Sequence, residues 1–180
     1  ILNEFPNISS LLYVVNKKAN DTLYDQKVVC YYGNDHIYEK IGNLKFKINA
    51  KSFYQTNSDQ TKELYKIVKK FADVKSNEIV YDLYSGIGTI SIFISEHAKK
   101  VIGIECVNDA VKAAEENKRL NSIKNVTFFC GEIRKVLNND FLEENGVPDT
   151  IIVDPPRSGM HKKVVDKLLA ICPKKIVYVS

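Results

Sequence analysis

Apolar positions change their spacing near residue 50 of the chain. Before that point they form short extended runs, and in the run over 44–48 apolar side chains alternate with two lysines. Alternation with a period of two is typical of a β-strand with one buried face. Further runs occupy 11–15 and 27–32, with turn-forming sequences at 33–35 and 42–43. Residues 1–49 are therefore predicted to form a small antiparallel sheet within a β-rich domain.

Helical and extended patterns alternate over the rest of the chain, residues 50–180. Apolar side chains at 64, 67, 68 and 71 predict one buried helix face, with Asn57 or Ser58 as the N-cap. Strands are predicted at 78–83, 101–105, 126–130, 150–154 and 176–179, and further helices at 89–98, 108–120 and 161–171. In the helix over 108–120, the residues expected to face inward are Ala110, Ala113, Ala114 and Leu120.

This order of elements indicates an α/β fold with a doubly wound, mostly parallel sheet. Continuous strands rich in Val and Ile that are separated by helices are typical of a sheet covered on both faces. Right-handed crossovers then place ligands outside the carboxyl ends of the strands. Chemically useful residues are therefore expected immediately after each strand.

The composition is that of a folded chain. Of its 180 residues, 44% are hydrophobic and 27% are charged, which excludes a disordered polymer. The apolar runs are much shorter than a membrane span, and no secretory signal is visible, so we expect a cytoplasmic protein without membrane contact. The net charge of +4 permits a polyanionic partner but does not require one.

The cysteines do not follow a metal-binding pattern. Cys30, Cys106, Cys130 and Cys172 contain no C-x-x-C pair and fit no zinc or iron–sulfur spacing. We therefore expect no metal site, and we interpret all four as buried thiols in a reducing compartment.

A glycine-containing loop follows the first strand of the predicted parallel sheet. The segment from Asp82 to Gly88 reads DLYSGIG, and its two glycines allow the backbone to approach a ligand closely. A nicotinamide dinucleotide site would need G-x-G-x-x-G, but the third glycine position holds Ser91. Asp82 is a poor neighbour for pyrophosphate and a good one for the sulfonium and ammonium cations of S-adenosylmethionine. The loop favours that cofactor, and a structural turn without a ligand remains the alternative.

Acidic residues also follow the next two strands. Glu105 lies 23 positions after Asp82, close to the ~20 expected between a glycine loop and a ribose-binding acid. It is a candidate acceptor for both ribose hydroxyls, or a charge near a helix N-terminus. Glu132 follows the strand over 126–130 and is either an acceptor for the adenine amino group or a solvated loop acid.

Asp154 begins the segment DPPRSG after the fourth strand of this sheet. Its two prolines make a rigid, extended turn that presents the carboxylate at the ligand edge. Enzymes that methylate exocyclic amines place an aromatic residue after such prolines to stack a flipped base, whereas this chain has Arg157. A carboxylate suits an imide N–H such as that of uracil, and Arg157 could hold a phosphate or Asp154 itself. A proline-stiffened loop with a structural ion pair is the alternative.

Three segments in this order resemble the RNA (uracil-5-)-methyltransferase family: FYQTN at 53–57, DLYSGIGT at 82–89 and DPPRSG at 154–159. The resemblance covers about residues 50–180, and residues 1–49 are similar to the family's central β domain. It implies a class I methyltransferase fold, which is Rossmann-like. It also implies an enzyme that makes 5-methyluridine in ribosomal or transfer RNA.

The resemblance further implies which residues bind the cofactor and the target base. The residues implied for S-adenosylmethionine are Gln55, Asp82, Tyr84, Gly86, Gly88 and Glu105. Asp154 would contribute to cofactor binding and position the target uracil. In the family a cysteine thiolate adds to C6 of uracil, because C5 is barely nucleophilic until C6 carries a covalent nucleophile.

The chain departs from the family at its end. The nucleophilic cysteine is expected directly beyond Ser180, and the base glutamate further on. We therefore expect the 180-residue chain to bind cofactor weakly without catalysing methyl transfer. Its first residue, Ile1, indicates a piece of a longer protein. The last strand would be an apolar edge, through which we expect self-association.

Other functions stay open at this point. They are an exocyclic-amine or RNA 5-methylcytosine methyltransferase, and a non-catalytic module that binds S-adenosylmethionine or RNA. A dinucleotide oxidoreductase is disfavoured by Ser91.

Overall fold

The computed structural model describes residues 1–19, 26–55 and 57–180, so Thr56 of the FYQTN segment lies outside the described residues. The strands are β1 (Ser10–Val14), β2 (Val28–Gly33), β3 (His36–Ile41), β4 (Leu44–Asn49), β5 (Ile79–Leu83), β6 (Lys100–Glu105), β7 (Val126–Cys130), β8 (Thr150–Val153) and β9 (Lys175–Tyr178). The helices are α1 (Ser58–Ala72), α2 (Thr89–Ile94), α3 (Asn108–Leu120), α4 (Ile133–Val136), α5 (Asn139–Asn145) and α6 (Lys162–Ile171). A short 3-10 turn follows α2.

Strands β5 to β9 form one parallel sheet in the order β7-β6-β5-β8-β9. Asp82 lies opposite Gly103 of β6 and Ile152 of β8, so the carboxyl ends of these three strands meet at one edge. Helices α1 to α3 contribute to an apolar cluster on one face, and α4 to α6 to a cluster on the other. The predicted α/β fold with a doubly wound, mostly parallel sheet is confirmed.

The N-terminal strands form two separate two-stranded sheets instead of the single small sheet that was predicted. β1 pairs antiparallel with β2, and β3 pairs antiparallel with β4. Period-two alternation identifies a strand and its buried face, but it carries no information about which strands pair. The division of the chain at residue 49 stays a prediction.

Two asparagines of α3 pair with the edge of β4. The Asn121 amide accepts from Lys45 N at 2.8 Å and donates to Lys45 O at 2.7 Å. Asn117 pairs with Lys47 in the same way, at 2.7 and 3.3 Å, and also donates to Ile87 O at 3.2 Å. Each side chain thus takes the place of a neighbouring strand and protects this edge. Through Ile87, Asn117 also connects β4 to the glycine loop.

The same contact explains an error in the predicted face of α3. Ala113 and Ala114 are buried as expected, but Leu120 is 42% exposed. The fully buried Asn117 occupies the core position in its place. Apolar periodicity cannot identify a buried polar side chain whose partner, Lys47, lies 70 residues away in sequence.

Asn117→Ala is expected to lower the free energy of unfolding by about 3 kcal/mol, because it leaves three buried backbone groups without a partner. Urea denaturation followed by circular dichroism measures the loss. Asn121→Ala is the matched variant, since Asn121 is half-buried and does not reach the glycine loop. We expect it to lose about half as much. Equal losses in both variants would contradict the importance of the contact with Ile87.

The buried face of α1 also differs from the prediction. Its buried side chains include Thr61, Tyr65, Val68 and Ala72. Ile67 and Phe71, which were expected inside, are 49% and 64% exposed. The Tyr65 hydroxyl shares a hydrogen bond with Thr89 Oγ1 at 2.8 Å, which favours the inward position of this face. Asn57 is the N-cap of α1, and its side chain accepts from Gln60 N.

All four cysteines are free and exposed, so the interpretation as buried thiols is wrong. Cys130 ends β7 and Cys172 is the C-cap of α6, and such positions at the ends of elements leave a side chain in solvent.

No helix in the described part of the chain is long and apolar enough to span a membrane. Among the same residues, no group of three or more His, Cys, Asp or Glu side chains could hold a metal ion.

Helices α4 and α5 were not predicted, because segments of four and seven residues are too short for a periodic pattern.

β9 lies at one edge of the sheet, where Ile176 and Tyr178 are 45% and 52% exposed. Self-association through this edge stays a prediction.

Candidate functional site

A narrow cleft opens at the carboxyl ends of β5 and β8. The predicted site residues in its lining are Gln55, Asp82, Tyr84, Gly86 and Asp154. Tyr65 of α1 and Thr89 of α2 line it as well. Its free volume of about 40 Å³ is enough to enclose only a small polar group.

A larger hollow lies elsewhere, among the N-terminal residues. Its volume is about 620 Å³, and the described residues in its lining include Ile1, Leu11 and Tyr13 but no carboxylate. Size therefore does not identify the site in this molecule. Convergent polar and titratable groups do, and they lie at the strand ends.

The side chain of Asp82 is fully buried in the lining of the cleft. Its Oδ2 accepts a hydrogen bond from Ser91 Oγ at 2.5 Å, while Oδ1 has no partner among the described residues. Burial raises the pKa of Asp82 to about 7, and the negative charges of Asp154 and Glu105 add to the rise. A buried polar atom without a partner is unfavourable unless a ligand supplies the missing group. The arrangement therefore favours a cationic donor at Oδ1.

The hydroxyl of Ser91 has a role that the loop motif does not reveal. In the sequence this residue only departs from the dinucleotide pattern. In the structure it is fully buried at the start of α2 and orients the carboxylate of Asp82. The signal for such a contact is a small polar residue on the first helical turn after a strand-end acid.

Three residues of the loop after β5 adopt positive φ: Tyr84 at 65°, Gly86 at 55° and Gly88 at 81°. A tyrosine in this region is strained, and such strain is concentrated at ligand sites. A Cβ on Gly88 would lie 2.5 Å from Phe128 Cζ, whereas a Cβ on Gly86 would meet nothing within 4 Å. Gly88 thus allows close packing, and Gly86 leaves open space beside the cleft.

Gly88→Ala is expected to destabilise the fold by about 3 kcal/mol, because a clash with Phe128 adds to the unfavourable positive φ. In the matched variant, Gly86→Ala, only the backbone conformation is unfavourable, and we expect a loss of about 1 kcal/mol. Thermal unfolding without ligand compares the two. Equal losses would mean that the Phe128 ring moves aside freely.

Glu105 joins the loops that follow β5 and β6. Its Oε2 accepts a hydrogen bond from Gly86 N at 3.1 Å, and its Oε1 accepts one from Val107 N at 2.9 Å. Cys106 Sγ, a weak donor, also reaches Oε1 at 3.4 Å. Oε2 therefore keeps a free lone pair for a ligand hydroxyl, and a second hydroxyl would displace the thiol from Oε1. Ribose binding by this half-buried side chain stays a prediction.

Asp154 adds a second carboxyl to the cleft, next to Asp82. It is half-buried, and burial raises its pKa. Burial also raises the pKa of Tyr65, and the charges of Asp82 and Asp154 add to that rise. Arg157 is exposed and forms no ion pair with Asp154 in the described part of the chain. Two carboxyl groups that have no cationic partner among the described residues therefore lie at this edge of the sheet.

Glu132 does not join this group. Like Glu105, it is absent from the cleft lining, but unlike Glu105 it is not bonded to the glycine loop and is the N-cap residue of α4. Its oxygens pair with Lys135 at 2.6 Å and Arg134 at 2.5 Å, and these hydrogen bonds hold its pKa below the usual value. Contact with an adenine amino group would compete with both cations, and this role stays a prediction.

Comparisons with known proteins agree on the kind of domain. A family model described as the TRM5/TYW2 methyltransferase domain matches residues 36–177. An uncharacterized RNA methyltransferase of Porphyromonas gingivalis is 51% identical over all 180 residues, which span 39% of that relative. One from Bacteroides thetaiotaomicron is 50% identical, with 40% of its length covered. The chain thus spans about two fifths of the length of the curated relatives it matches.

Solved structures share the fold. The Pyrococcus abyssi tRNA (uracil-54, C5)-methyltransferase, in complex with S-adenosyl-L-homocysteine, is 29% identical with a TM-score of 0.77. The match covers 99% of this chain and 42% of that one. The Methanocaldococcus jannaschii tRNA m1G37 methyltransferase is 22% identical with a TM-score of 0.61, over 81% of this chain and 43% of its own. At that identity the likeness concerns the fold alone.

Proposed function

Because the chain belongs to the TRM5/TYW2 methyltransferase domain family, we propose that it binds S-adenosylmethionine and takes part in RNA methylation. The proposed target is C5 of a uridine in ribosomal or transfer RNA. This activity concerns a protein of the relatives' full length, of which the chain spans about two fifths.

The observation that carries the proposal is the buried carboxylate of Asp82. Its Oδ1 has no partner among the described residues, so an ammonium group would supply the donor that is missing. The open space at Gly86 and the lone pairs of Glu105 fit the nucleoside part of the same molecule. These residues together fit S-adenosylmethionine better than a dinucleotide, since a pyrophosphate would lie against two carboxylates.

The role of the chain's own residues would be to bind S-adenosylmethionine and to orient it. Asp82 attracts the ammonium and Glu105 accepts from the ribose hydroxyls. Gln55 and Tyr84 line the same cleft as Asp82. When bound, S-adenosylmethionine supplies a methyl group activated by its attachment to a sulfonium. The proposed work of the protein is to hold this group beside a pyrimidine and to exclude water.

Uridine is favoured by the chemistry of Asp154. A half-buried carboxylate on a stiff double-proline turn can accept from the N3–H of uracil, whereas cytosine has no hydrogen at N3 and offers only its N4 amino group. The position after the prolines holds Arg157, not an aromatic residue for stacking a flipped adenine. The uracil-54 specificity in the name of the Pyrococcus neighbour also supports this choice.

None of the four cysteines is proposed as the nucleophile. Burial and the negative charge of Glu105 raise the pKa of Cys106, which disfavours its thiolate. Cys172 is the C-cap of α6, outside the cleft lining. The nucleophilic cysteine and the base glutamate remain expected beyond Ser180.

Calorimetry of the 180-residue chain with S-adenosylhomocysteine tests the cofactor assignment, and we expect binding with one site per chain. Heat indistinguishable from dilution at high ligand concentration would contradict it. Uridine specificity is tested with the full-length protein and RNA carrying tritium at C5 of uridine. Methylation at C5 replaces that hydrogen and releases tritium, whereas methylation of an exocyclic amine, or of cytidine in the same RNA, releases none.

A further inference from the structure

The outer face of the β3–β4 hairpin carries aromatic and basic side chains together. In the antiparallel register Tyr38 lies opposite Lys47, and Lys40 lies opposite Lys45. With His36 these residues form one face, which we call the basic–aromatic stripe: His36, Tyr38, Lys40, Lys45 and Lys47. The other face carries Phe46 and Ile48, which are buried in the core. The stripe is therefore the solvent side of the hairpin.

Contacts within the stripe hold an aromatic ring in place. Lys45 Nζ lies 3.7 Å from the centroid of the Tyr38 ring, and the His36 ring packs edge-on against it at 4.9 Å. Tyr38 is nevertheless 47% exposed. Because Lys45 covers one face of the Tyr38 ring, a nucleic-acid base would stack on the other face, beside the same cation.

The positive charge of the stripe is only partly neutralised. Lys47 pairs with Glu116 at 3.1 Å, but Lys40 and Lys45 form no ion pair in the described part of the chain. Asp35, next to His36 in sequence, is hydrogen-bonded to it at 2.6 Å, and Glu39, next to Lys40, lies opposite Phe46 on the other face of the hairpin. Lysines on the helices are often paired instead, such as Lys66 with Glu63 and Lys118 with Glu115. The stripe thus complements a polyanion better than those surfaces do.

The hairpin that carries the stripe contacts the cleft through its buried face. Ile48 of β4 packs in one cluster with Ile87, and Ile87 lines the cleft. Asn117 hydrogen-bonds both Lys47 and the carbonyl of Ile87. β4 is six residues long, or about 17 Å between its first and last Cα atoms, which is enough for a few nucleotides.

We propose that the basic–aromatic stripe binds a single-stranded stretch of RNA next to the target nucleotide. Tyr38 stacks on a base, and Lys40 and Lys45 neutralise phosphates. This inference rests on the proposed function, because it gives the path of the RNA that enters the same cleft.

The test measures anisotropy of a fluorescein-labelled, uridine-containing single-stranded RNA with the 180-residue chain. We expect Lys40→Ala with Lys45→Ala to weaken binding roughly tenfold, and to reduce the slope of log affinity against log salt by about 1.4. Tyr38→Ala is expected to weaken binding by roughly tenfold, whereas Tyr38→Phe keeps the ring and binds nearly as the unaltered chain does. The matched control is Lys62→Ala with Lys70→Ala, two exposed lysines on α1, which removes the same charge and leaves affinity nearly unchanged.

Binding of S-adenosylhomocysteine is measured on the same variants and is expected to stay constant, which shows that the fold is retained. Equal loss in the control variant would overturn the proposal, since binding would then follow net charge alone. Absence of RNA binding by the unaltered chain that still binds S-adenosylhomocysteine would also overturn it, and would leave the cofactor assignment intact. If the unaltered chain does not bind S-adenosylhomocysteine at all, that result contradicts the proposed function instead.

Discussion

Asp82→Asn is expected to weaken binding of S-adenosylhomocysteine by roughly 10- to 100-fold at pH 8, because it removes a charge-assisted hydrogen bond to the ammonium group. The same change is expected to stabilise the protein without ligand. Isothermal calorimetry measures the first effect, and thermal unfolding measures the second. Opposite signs for binding and stability are typical of a residue that is kept for function at the expense of the fold.

The gain in stability follows from linkage. The folded-state pKa of Asp82 is raised from 3.8 to about 7, so the folded protein favours the protonated acid. That contribution is fully present below about pH 4 and is lost as the pH rises through about 7. At pH 8 the folded state therefore holds an unfavourable buried charge. Asparagine removes it but leaves an amide to satisfy, and we expect a net gain of about 2 kcal/mol.

The same shift makes cofactor binding depend on pH. A cationic ligand binds the ionised carboxylate, so the affinity of the unaltered chain is expected to fall as the pH drops below about 7. The affinity of the Asp82→Asn variant should change little between pH 8 and pH 6. Asp166→Asn is the matched control, since Asp166 is exposed on α6 and pairs with Lys162. Unchanged affinity in Asp82→Asn would contradict an ammonium contact at this carboxylate.

The succession of strands and helices along residues 50–180 could be predicted, because the strands of the parallel sheet are continuous apolar runs. Such a run is too short for a helix and too apolar for a surface loop. The meeting of Asp82 and Asp154 followed from topology, since β5 and β8 are parallel neighbours. Periodic patterns carry no equivalent information about single buried polar residues. Asn117 and Tyr65 act through partners 70 and 24 residues away, which no local spacing indicates.

Errors in the predicted helix faces have a related cause. Ile67 and Phe71 complete an apolar stripe in the sequence, yet they are largely exposed because Tyr65 and Val68 face the core. A helix can bury only one stripe, and tertiary contacts choose between two that overlap. On α3, hydrogen bonds to β4 place Asn117 in the buried position, and Leu120 is therefore exposed. Both errors concern which side of a correctly predicted helix is inside.

Glu105→Ala is expected to weaken S-adenosylhomocysteine binding by about 100-fold, since it removes an acceptor for two hydroxyls. It also removes the acceptor that holds Gly86 N and Val107 N in place. Calorimetry with two ligands separates this residue from Asp82, because 5′-methylthioadenosine keeps the ribose and adenine but lacks the amino-acid part.

Glu105→Ala should weaken binding of both ligands alike, whereas Asp82→Asn should weaken binding of S-adenosylhomocysteine only. Glu105→Gln retains one oxygen that can accept from a backbone N–H, and we expect an intermediate loss. Glu143→Ala, an exposed acid on α5, controls for the change in net charge. If Glu105→Ala spared methylthioadenosine while Asp82→Asn did not, the two carboxylates would have exchanged roles, and the orientation proposed for the cofactor would be reversed.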